Sequence, residues 1–252
     1  MIRRLSFLAV AALLCAPALS RAEAADSDPQ AMKVAHEVLD ALGGGERWNA
    51  LTGIAWTFEV STRDTVRASR RHVWNKHSGE HRVEYTTPAG VRFVVVHVLG
   101  DSTRGSAWAN GTPLEGDSLH HMLKRAYAMW VNDSYWFLMP YKLLDPGVHL
   151  GYDGQVSDSA GTFDRLALSF DHVGLTPGDH YWVDVARGSE RVERWKNQLQ
   201  NTQPPPTEWT WEGWEKHDGL WFPTAHRRPG AAILTRDVET YREMPASAFA
   251  AP

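Results

Sequence analysis

Residues 130–147 read WVNDSYWFLMPYKLLDPG, and this stretch does most to decide the fold. Most of its side chains are apolar or aromatic, which is too many for an ordinary surface connection. Pro140 lacks a backbone N–H and its ring clashes with the preceding turn, so we predict a broken segment and not a regular helix. Such a segment must bury its side chains against a large concave surface. We therefore expect it to cover a curved sheet as a lid.

Alternating hydrophobicity predicts that the chain is mainly β-sheet. Residues 53–62 place Ile54, Trp56 and Phe58 on one face and polar side chains on the other, which is typical of a sheet with one covered face. About ten such runs follow one another at the even spacing of an antiparallel sheet. A sheet of this size curls, so we expect a strongly curved antiparallel half-barrel.

Two segments carry helical periodicity. Residues 28–42 have apolar side chains at spacings of three and four, with Asp28 as N-cap and Pro29 in the first turn. Residues 115–131 show a second such stripe. The predicted fold class is therefore mainly β with few helices, in which an N-terminal helix and a central helix/loop lid cover the half-barrel.

The first residues predict secretion. Arg3 and Arg4 precede an apolar run, and Ala22-Glu23-Ala24 is a cleavage site, so residues 1–24 read as a signal peptide and residues 25–252 as a single domain. We expect a periplasmic or secreted protein. Cys15 is the only cysteine, and Leu14 before it fits a lipoprotein cleavage site poorly. The mature chain then has no disulfide, no thiol nucleophile and no cysteine-ligated metal.

The charge balance argues against nucleic-acid binding. The 252-residue chain has 26 Lys+Arg against 30 Asp+Glu, a net charge of −4, and no basic block. Phosphate backbones are bound by clustered positive charge, which this chain lacks. We expect a monomer whose partner is a hydrophobic small molecule or lipid, with a cell-envelope protein as a further partner to consider.

Large aromatic side chains predict an apolar cavity. The 12 tryptophans are spread over nearly every predicted strand, and rigid aromatics line apolar cavities while keeping one polar group. The candidates for the cavity wall are Trp56, Phe58, Trp74, Tyr85, Phe93, Trp108, Trp130, Tyr135, Trp136 and Met139. Asp133, Lys142 and Asp145 are the polar candidates of the lid. We interpret the two aspartates as caps of short helical turns and Lys142 as a snorkelling side chain, with a latch or a contact to a polar head group as the alternative.

Several motifs together resemble a known superfamily. They are Ala41-Leu42-Gly43-Gly44 with Trp48 and Leu51, Gly79-Glu80 with Arg82-Val83-Glu84, Trp130-Val131-Asn132-Asp133 with Tyr135-Trp136, Met139-Pro140, Lys142-Leu143 and Asp145-Pro146-Gly147, and residues 219–224, GLWFPT. Over most of its mature length the chain is similar to the lipoprotein-carrier-like (outer-membrane lipoprotein localisation factor-like) superfamily, in a branch of unknown function. The resemblance implies an open half-barrel covered by helices. In the characterised carriers the cavity holds lipid acyl chains, which implies a carrier without catalytic residues or cofactor.

Two other classes of function stay open. An enzyme would use polar groups at the cavity mouth, but Gly116-Asp117-Ser118-Leu119 lacks the later Asp-x-x-His partner of hydrolases that carry this motif, and it is better explained as a helix start. His72, His77 and His81 cluster around one hairpin. We interpret them as exposed, because the sequence places no third and fourth metal ligand beside them. The other class is a cell-envelope interaction module.

Overall fold

The computed structural model describes residues 27–171, 179–199 and 202–252. The predicted signal peptide and Cys15 lie outside the described residues. No helix among the residues described is both long and apolar enough to cross a membrane.

Three helices form in this part of the chain: α1 (Pro29–Ala41), α2 (Gly45–Ala50) and α3 (Gly116–Lys142). The predicted start of α1 is confirmed, because Oδ1 of Asp28 accepts from the backbone N–H groups of Gln30 and Ala31 at 2.7 and 3.1 Å. Helix α2 is short and was not predicted.

Eight strands form the larger antiparallel sheet, in the order β14-β15-β1-β2-β3-β4-β5-β6. Their bounds are β1 (Gly53–Thr62), β2 (Thr65–Asn75), β3 (Glu80–Thr86), β4 (Arg92–Val98), β5 (Asp101–Ala109), β6 (Thr112–Pro113), β14 (Ala225–Arg228) and β15 (Ala231–Tyr241). The predicted turn after β2 is present, where Oδ1 of Asn75 accepts from the N–H groups of His77 and Ser78.

A second antiparallel sheet has five strands in the order β11-β10-β9-β8-β7. They are β7 (Val148–Asp158), β8 (Gly161–Phe170), β9 (His180–Ala186), β10 (Arg191–Gln198) and β11 (Thr207–Thr210), and a hairpin of β12 (Glu215–His217) and β13 (Leu220–Phe222) stands apart. The two large sheets adjoin where the N–H of Arg227 donates to Oγ1 of Thr210. Within the described residues the sheets do not close into a barrel, so the predicted open half-barrel is confirmed.

The strand register defines the concave face of the larger sheet. One row of paired residues crosses five strands, and all of its members are buried: Trp56, His72, Val83, Val95 and Ala107. The opposite, convex face is partly covered by the C-terminal residues, where Arg82 donates to the backbone oxygen of Ala250.

Helix α3 lies on the concave face and joins two apolar clusters. Near its start Met122, Leu123 and Ala126 pack on β3, β4 and β5. Near its end Phe137 and Leu138 pack with α1, β1 and the second sheet in the main core. The helix therefore crosses the interior of the half-barrel and fills it with side chains.

The prediction of a broken segment over residues 130–147 is wrong, because α3 continues through Pro140 to Lys142. An internal proline costs a helix about 3 kcal/mol. Burying one large apolar side chain stabilises the fold by roughly 1.5–3 kcal/mol. Phe137, Leu138 and Met139 are all fully buried. Burial therefore outweighs the cost of the proline. The covering role of the segment stands, but the cover is one continuous helix.

Candidate functional site

The second half of α3 packs against aromatic side chains of the second sheet. The ring of Trp136 lies 4.5 Å from that of Trp195 and 5.0 Å from that of Trp209. Tyr135 meets Phe170 edge to face, with their ring centres 5.6 Å apart. Such contacts favour ring edges on ring faces and leave the indole N–H groups free to bond elsewhere.

A second aromatic row joins α3 to the larger sheet. Trp56 stacks on the imidazole of His72 at 4.8 Å and contacts Phe137 at 5.4 Å. Trp130 meets Trp74 edge to face, also at 5.4 Å. Trp56, His72 and Trp74 lie on one side of β1 and β2 because side chains alternate along a strand.

The structure brings most of the predicted wall residues together at this interface, where they are buried or half-buried. Trp56, Phe58 and Met139 are fully buried, and Trp74, Tyr135 and Trp136 are half-buried against the same cluster. Tyr85 and Phe93 stack at 5.5 Å beside the smaller cluster, and Trp130 is half-buried. Trp108 is an exception: it pairs with Val94 and faces the convex side, so its assignment to the cavity wall is wrong.

Two open grooves lie elsewhere. One, of about 600 Å³, is lined by residues that include Arg67, Arg71, Tyr85 and Arg92. The other, of about 590 Å³, lies over β7, β8 and β9 and includes Trp182 in its wall. Tyr85 is the one predicted wall residue that contributes to either of them.

Buried polar atoms without a partner mark the interface beneath α3. The indole N–H groups of Trp56, Trp74, Trp130 and Trp195 make no hydrogen bond within the described part of the chain, nor does the hydroxyl of Tyr135. A buried donor without an acceptor costs about 1–3 kcal/mol. The interface therefore holds unused donors among apolar rings.

Asp133 is the polar centre of the interface, and its interpretation as a helix cap is wrong. It lies inside α3, fully buried, where Nε and Nη2 of Arg70 donate to its two oxygens at 2.6 and 2.9 Å. Nδ2 of Asn132 donates at 2.8 Å, and Nε2 of His72 lies 2.9 Å away. A buried carboxylate needs this many partners to stay charged, so Asp133 ties α3 to β2.

The interpretation of the hairpin histidines as exposed is wrong for His72 and His81. Both are fully buried on the concave face, and Nδ1 of His72 lies 3.0 Å from Nε2 of His81. His97 of β4 extends the chain, with its Nε2 2.8 Å from Nδ1 of His81. His77 is exposed, as predicted. No group of three or more His, Cys, Asp or Glu side chains within the described ranges is arranged to hold a metal ion.

The pKa values follow from burial and from this pairing. Burial lowers the pKa of His72 and of His81, and lowers that of His97 to about 4. Burial alone would raise the pKa of Asp133, but the hydrogen bonds of His72 and Arg70 and the positive charge of Arg70 hold it below its usual value. At neutral pH the imidazoles are therefore uncharged and Asp133 is ionised.

The two remaining lid residues form a pair at the end of α3. Nζ of Lys142 lies 2.6 Å from Oδ2 of Asp145 and 5.6 Å from the centre of the Trp130 ring. The carboxylate of Asp145 thus binds a side chain and not the backbone, which corrects its interpretation as a cap. The Lys142 side chain is 21% exposed, and its interpretation as a snorkelling side chain stays a prediction.

Comparisons with known proteins concern the fold. No protein-family model and no curated protein matches the sequence. The structure is similar to a DUF1329 family protein from Desulfovibrio piger, with a TM-score of 0.50 and 12% identity over 88% of this chain and 98% of that chain. It is also similar to a LolA superfamily protein from Nitrosomonas europaea, with a TM-score of 0.47 and 13% identity over 87% and 96%. A putative outer membrane lipoprotein-sorting protein domain from Vibrio parahaemolyticus is similar with a TM-score of 0.44 and 10% identity, over 86% of this chain and 97% of that chain.

The DUF1329 family protein shares the fold that the resemblance implied. At 12% identity the likeness extends to the fold, the open antiparallel half-barrel, and no further.

Proposed function

We propose that this protein binds the acyl chain of a lipid or lipoprotein between α3 and the concave face, and that it carries this ligand without chemistry. One observation supports the proposal most: the interface combines large aromatic surfaces with buried indole and phenol donors that have no acceptor. An acylated molecule matches both features, because its chain is apolar and its ester or amide carbonyls accept hydrogen bonds.

The energetics favour a ligand of this kind. Each Å² of acyl chain removed from water contributes about 25 cal/mol, with no need for exact polar geometry. Carbonyl oxygens that reach Trp195 or Tyr135 would also relieve the cost of unpaired donors. The affinity then comes from the apolar area that is buried, and the orientation of the ligand comes from a few hydrogen-bond donors.

Uptake of a chain requires α3 to move, because its side chains occupy the interior of the half-barrel. Helix α3 contacts the sheets through side chains, so a shift of the helix would leave the strand pairing intact. Gly116 begins the helix and Gly147 lies beyond its last residue, Lys142, with φ values of +54° and +82°, which other residues adopt only with strain. In this proposal α3 is a movable cover and the sheets are a fixed frame.

The predicted signal peptide sets the place of action in this proposal. A cleaved leader delivers the chain to the periplasm or beyond the cell, where lipids in transit through water need a carrier. We propose that the protein works there as a monomer, without nucleic acid, metal or cofactor. A cell-envelope protein would then be the donor or acceptor of the ligand.

Catalysis is less well supported by the geometry. His72 and Asp133 have the chemistry of a general base with its orienting carboxylate. Both side chains are fully buried, however, and Nδ1 of His72 is occupied by His81. A substrate would therefore find neither imidazole nitrogen of His72 free.

Native mass spectrometry of the protein purified from cells tests the proposal, followed by titration of stripped protein with the fluorescent fatty acid cis-parinaric acid. We expect discrete lipid adducts and saturable uptake. Trp136→Ala should weaken uptake about tenfold, which corresponds to about 1.4 kcal/mol of lost contact. The matched control is Trp182→Ala, whose ring lies on the convex side of β9. Bare protein together with no saturable uptake would refute the proposal.

A further inference from the structure

Four polar side chains form a continuous chain through the interior, from β4 to α3. Nε2 of His97 lies 2.8 Å from Nδ1 of His81, and Nε2 of His81 lies 3.0 Å from Nδ1 of His72. Nε2 of His72 lies 2.9 Å from Oδ2 of Asp133. His97 is 5% exposed and the other three are fully buried, so the His97 end is the one that approaches the surface.

The charge of Asp133 sets the direction of every hydrogen bond in this chain. The carboxylate is ionised beside Arg70 and can only accept, so Nε2 of His72 carries a proton. Neutral His72 then has a bare Nδ1, which accepts from the Nε2–H of His81. By the same step His81 accepts from the Nε2–H of His97. Nδ1 of His97 is left as the acceptor at the outer end.

This arrangement lets one extra proton cross the chain without the loss of a hydrogen bond. A proton binds Nδ1 of His97, the Nε2 proton of His97 passes to Nδ1 of His81, and the Nε2 proton of His81 passes to Nδ1 of His72. His72 is now an imidazolium that donates to both Asp133 and His81, while the other two rings are neutral again. The positive charge has come to rest beside a carboxylate, where it is most stable.

A second extra proton has no comparable site in the chain. Every nitrogen that still accepts does so within the chain, so the new N–H would point at another N–H. The ring centres are 5.2 and 5.0 Å apart, so two imidazolium charges would also repel. The neighbouring charged groups of β2 are Arg70 and Arg71, both positive, and Arg71 is paired with Glu239 of β15. The residues that face the chain from β1, β5 and α3 are uncharged: Trp56, Gly105 and Trp130.

We propose that His97, His81 and His72 form a proton relay that controls the hold of α3 on the sheet. The relay keeps α3 in place while it carries no extra proton or one, and releases the helix when a second proton enters. This regulation rests on the proposed function, since it opens the interface that would take up the lipid chain. Burial lowers the pKa of all three histidines, so we expect α3 to be released from the sheet at acidic pH.

Nitrogen NMR of the three imidazoles tests the relay in the wild-type chain without any ligand. At pH 7 all three rings are expected as neutral Nε2–H tautomers. As the pH falls, the first proton should appear as an imidazolium at His72, the ring deepest in the protein. Protonation of His97 first, with His72 still neutral, would overturn the relay.

Hydrogen exchange, corrected for its intrinsic pH dependence, tests the release of α3 in the full chain. Below the pH at which the second proton binds, opening of residues 116–142 should rise about tenfold for each pH unit, while β7–β11 stay protected. His81→Gln keeps a hydrogen-bonding amide but cannot pass or bind a proton, so it should reduce the rise, while His72 and His97 keep their share of it. The control His77→Gln lies on the exposed turn and should behave like the wild type.

Two results would overturn the release. One is loss of protection in α3 and the second sheet together, which is general acid unfolding. The other is an unchanged acceleration in His81→Gln. Because neither experiment contains lipid, a failure here is distinct from a failure of lipid binding, and absence of lipid beside an intact relay would refute the proposed function alone.

Discussion

Helix α3 meets two chemically different surfaces. On the histidine side, defined by Arg70, His72, His81, His97 and Asp133, the helix is held by short directional bonds between buried polar groups. On the tryptophan side, defined by Tyr135, Trp136, Trp195, Trp209, Trp211 and His226, it is held by ring contacts. The first surface specifies one position of the helix and depends on pH. The second can exchange one apolar partner for another, which is what a lipid-binding surface needs.

The largest effect should come from breaking the histidine side at its centre. Asp133→Ala leaves Arg70, whose side chain is only 17% exposed, without its counter-ion, and removing one partner of a largely buried pair costs about 3 kcal/mol. Urea unfolding at pH 7 measures this loss. Asp145→Ala is the control, because its pair with Lys142 is partly exposed and should be worth less than about 1 kcal/mol. Equal losses in the two variants would contradict the central role of Asp133.

On the tryptophan side, Trp136→Ala should destabilise the fold by about 3 kcal/mol, the lower end for tryptophan truncation because the ring is half-buried. The same urea experiment measures it. Tyr127→Ala, on the exposed face of α3, should cost well under half as much. Unchanged unfolding and unchanged lipid uptake in Trp136→Ala would show that the helix does not cover this surface.

The pH dependence sharpens the contrast between the two sides. Burial lowers the pKa of His226, the histidine of the tryptophan side, to about 3. The unfolded chain takes up a proton there as the pH falls below about 6.5, while the folded chain does not, so stability falls with acid. For His226 this loss is about 2 kcal/mol between pH 6.5 and pH 5.

Urea unfolding at pH 7 and at pH 5 therefore separates the sides. In His226→Phe the free energy of unfolding should fall less between pH 7 and pH 5 than in the wild type, by the contribution of one histidine. The decrease that remains belongs to the three relay histidines. If the variant lost as much stability as the wild type over this range, His226 would not be a neutral buried ring.

A smaller effect is expected where Leu123 of α3 packs against Gly105 of β5. A Cβ on Gly105 would lie 2.5 Å from Cδ2 of Leu123 and 2.7 Å from the backbone oxygen of Val96. Gly105→Ala should therefore cost about 1–2 kcal/mol by overpacking. Gly151→Ala in β7 is the matched control, since its Cβ would meet Ala167 at an ordinary 3.8 Å. A neutral Gly105→Ala would mean that α3 is held loosely there.

The same two surfaces explain what the sequence could predict. Alternation along β1 placed Ile54, Trp56 and Phe58 on the concave face correctly, because apolar and polar residues there differ strongly. The cap of α1 was also predictable from Asp28 alone. The prediction at Pro140 was wrong because it considered only the local cost of a proline inside a helix. The free energy gained by burying Phe137, Leu138 and Met139 in the tertiary structure exceeds that cost.

The histidine side could not be derived in the same way. His72, His81 and His97 are polar, and polarity in a strand normally indicates the solvent face. Their positions do share the concave parity of Trp74 and Val83, which is the signal that would have suggested burial. Their connection to Asp133 depends on how α3 crosses the sheet, which no local pattern encodes.

The position of a bound acyl chain tests the central claim most directly. A fatty acid with a photoreactive diazirine in its chain can be crosslinked to the protein, and the modified residues identified by mass spectrometry. We predict saturable crosslinks to residues 130–139 of α3 and to concave-face residues such as Trp56 and Trp195, with loss of labelling when unlabelled fatty acid competes. Crosslinks confined to the convex face, or labelling that does not saturate, would contradict the account.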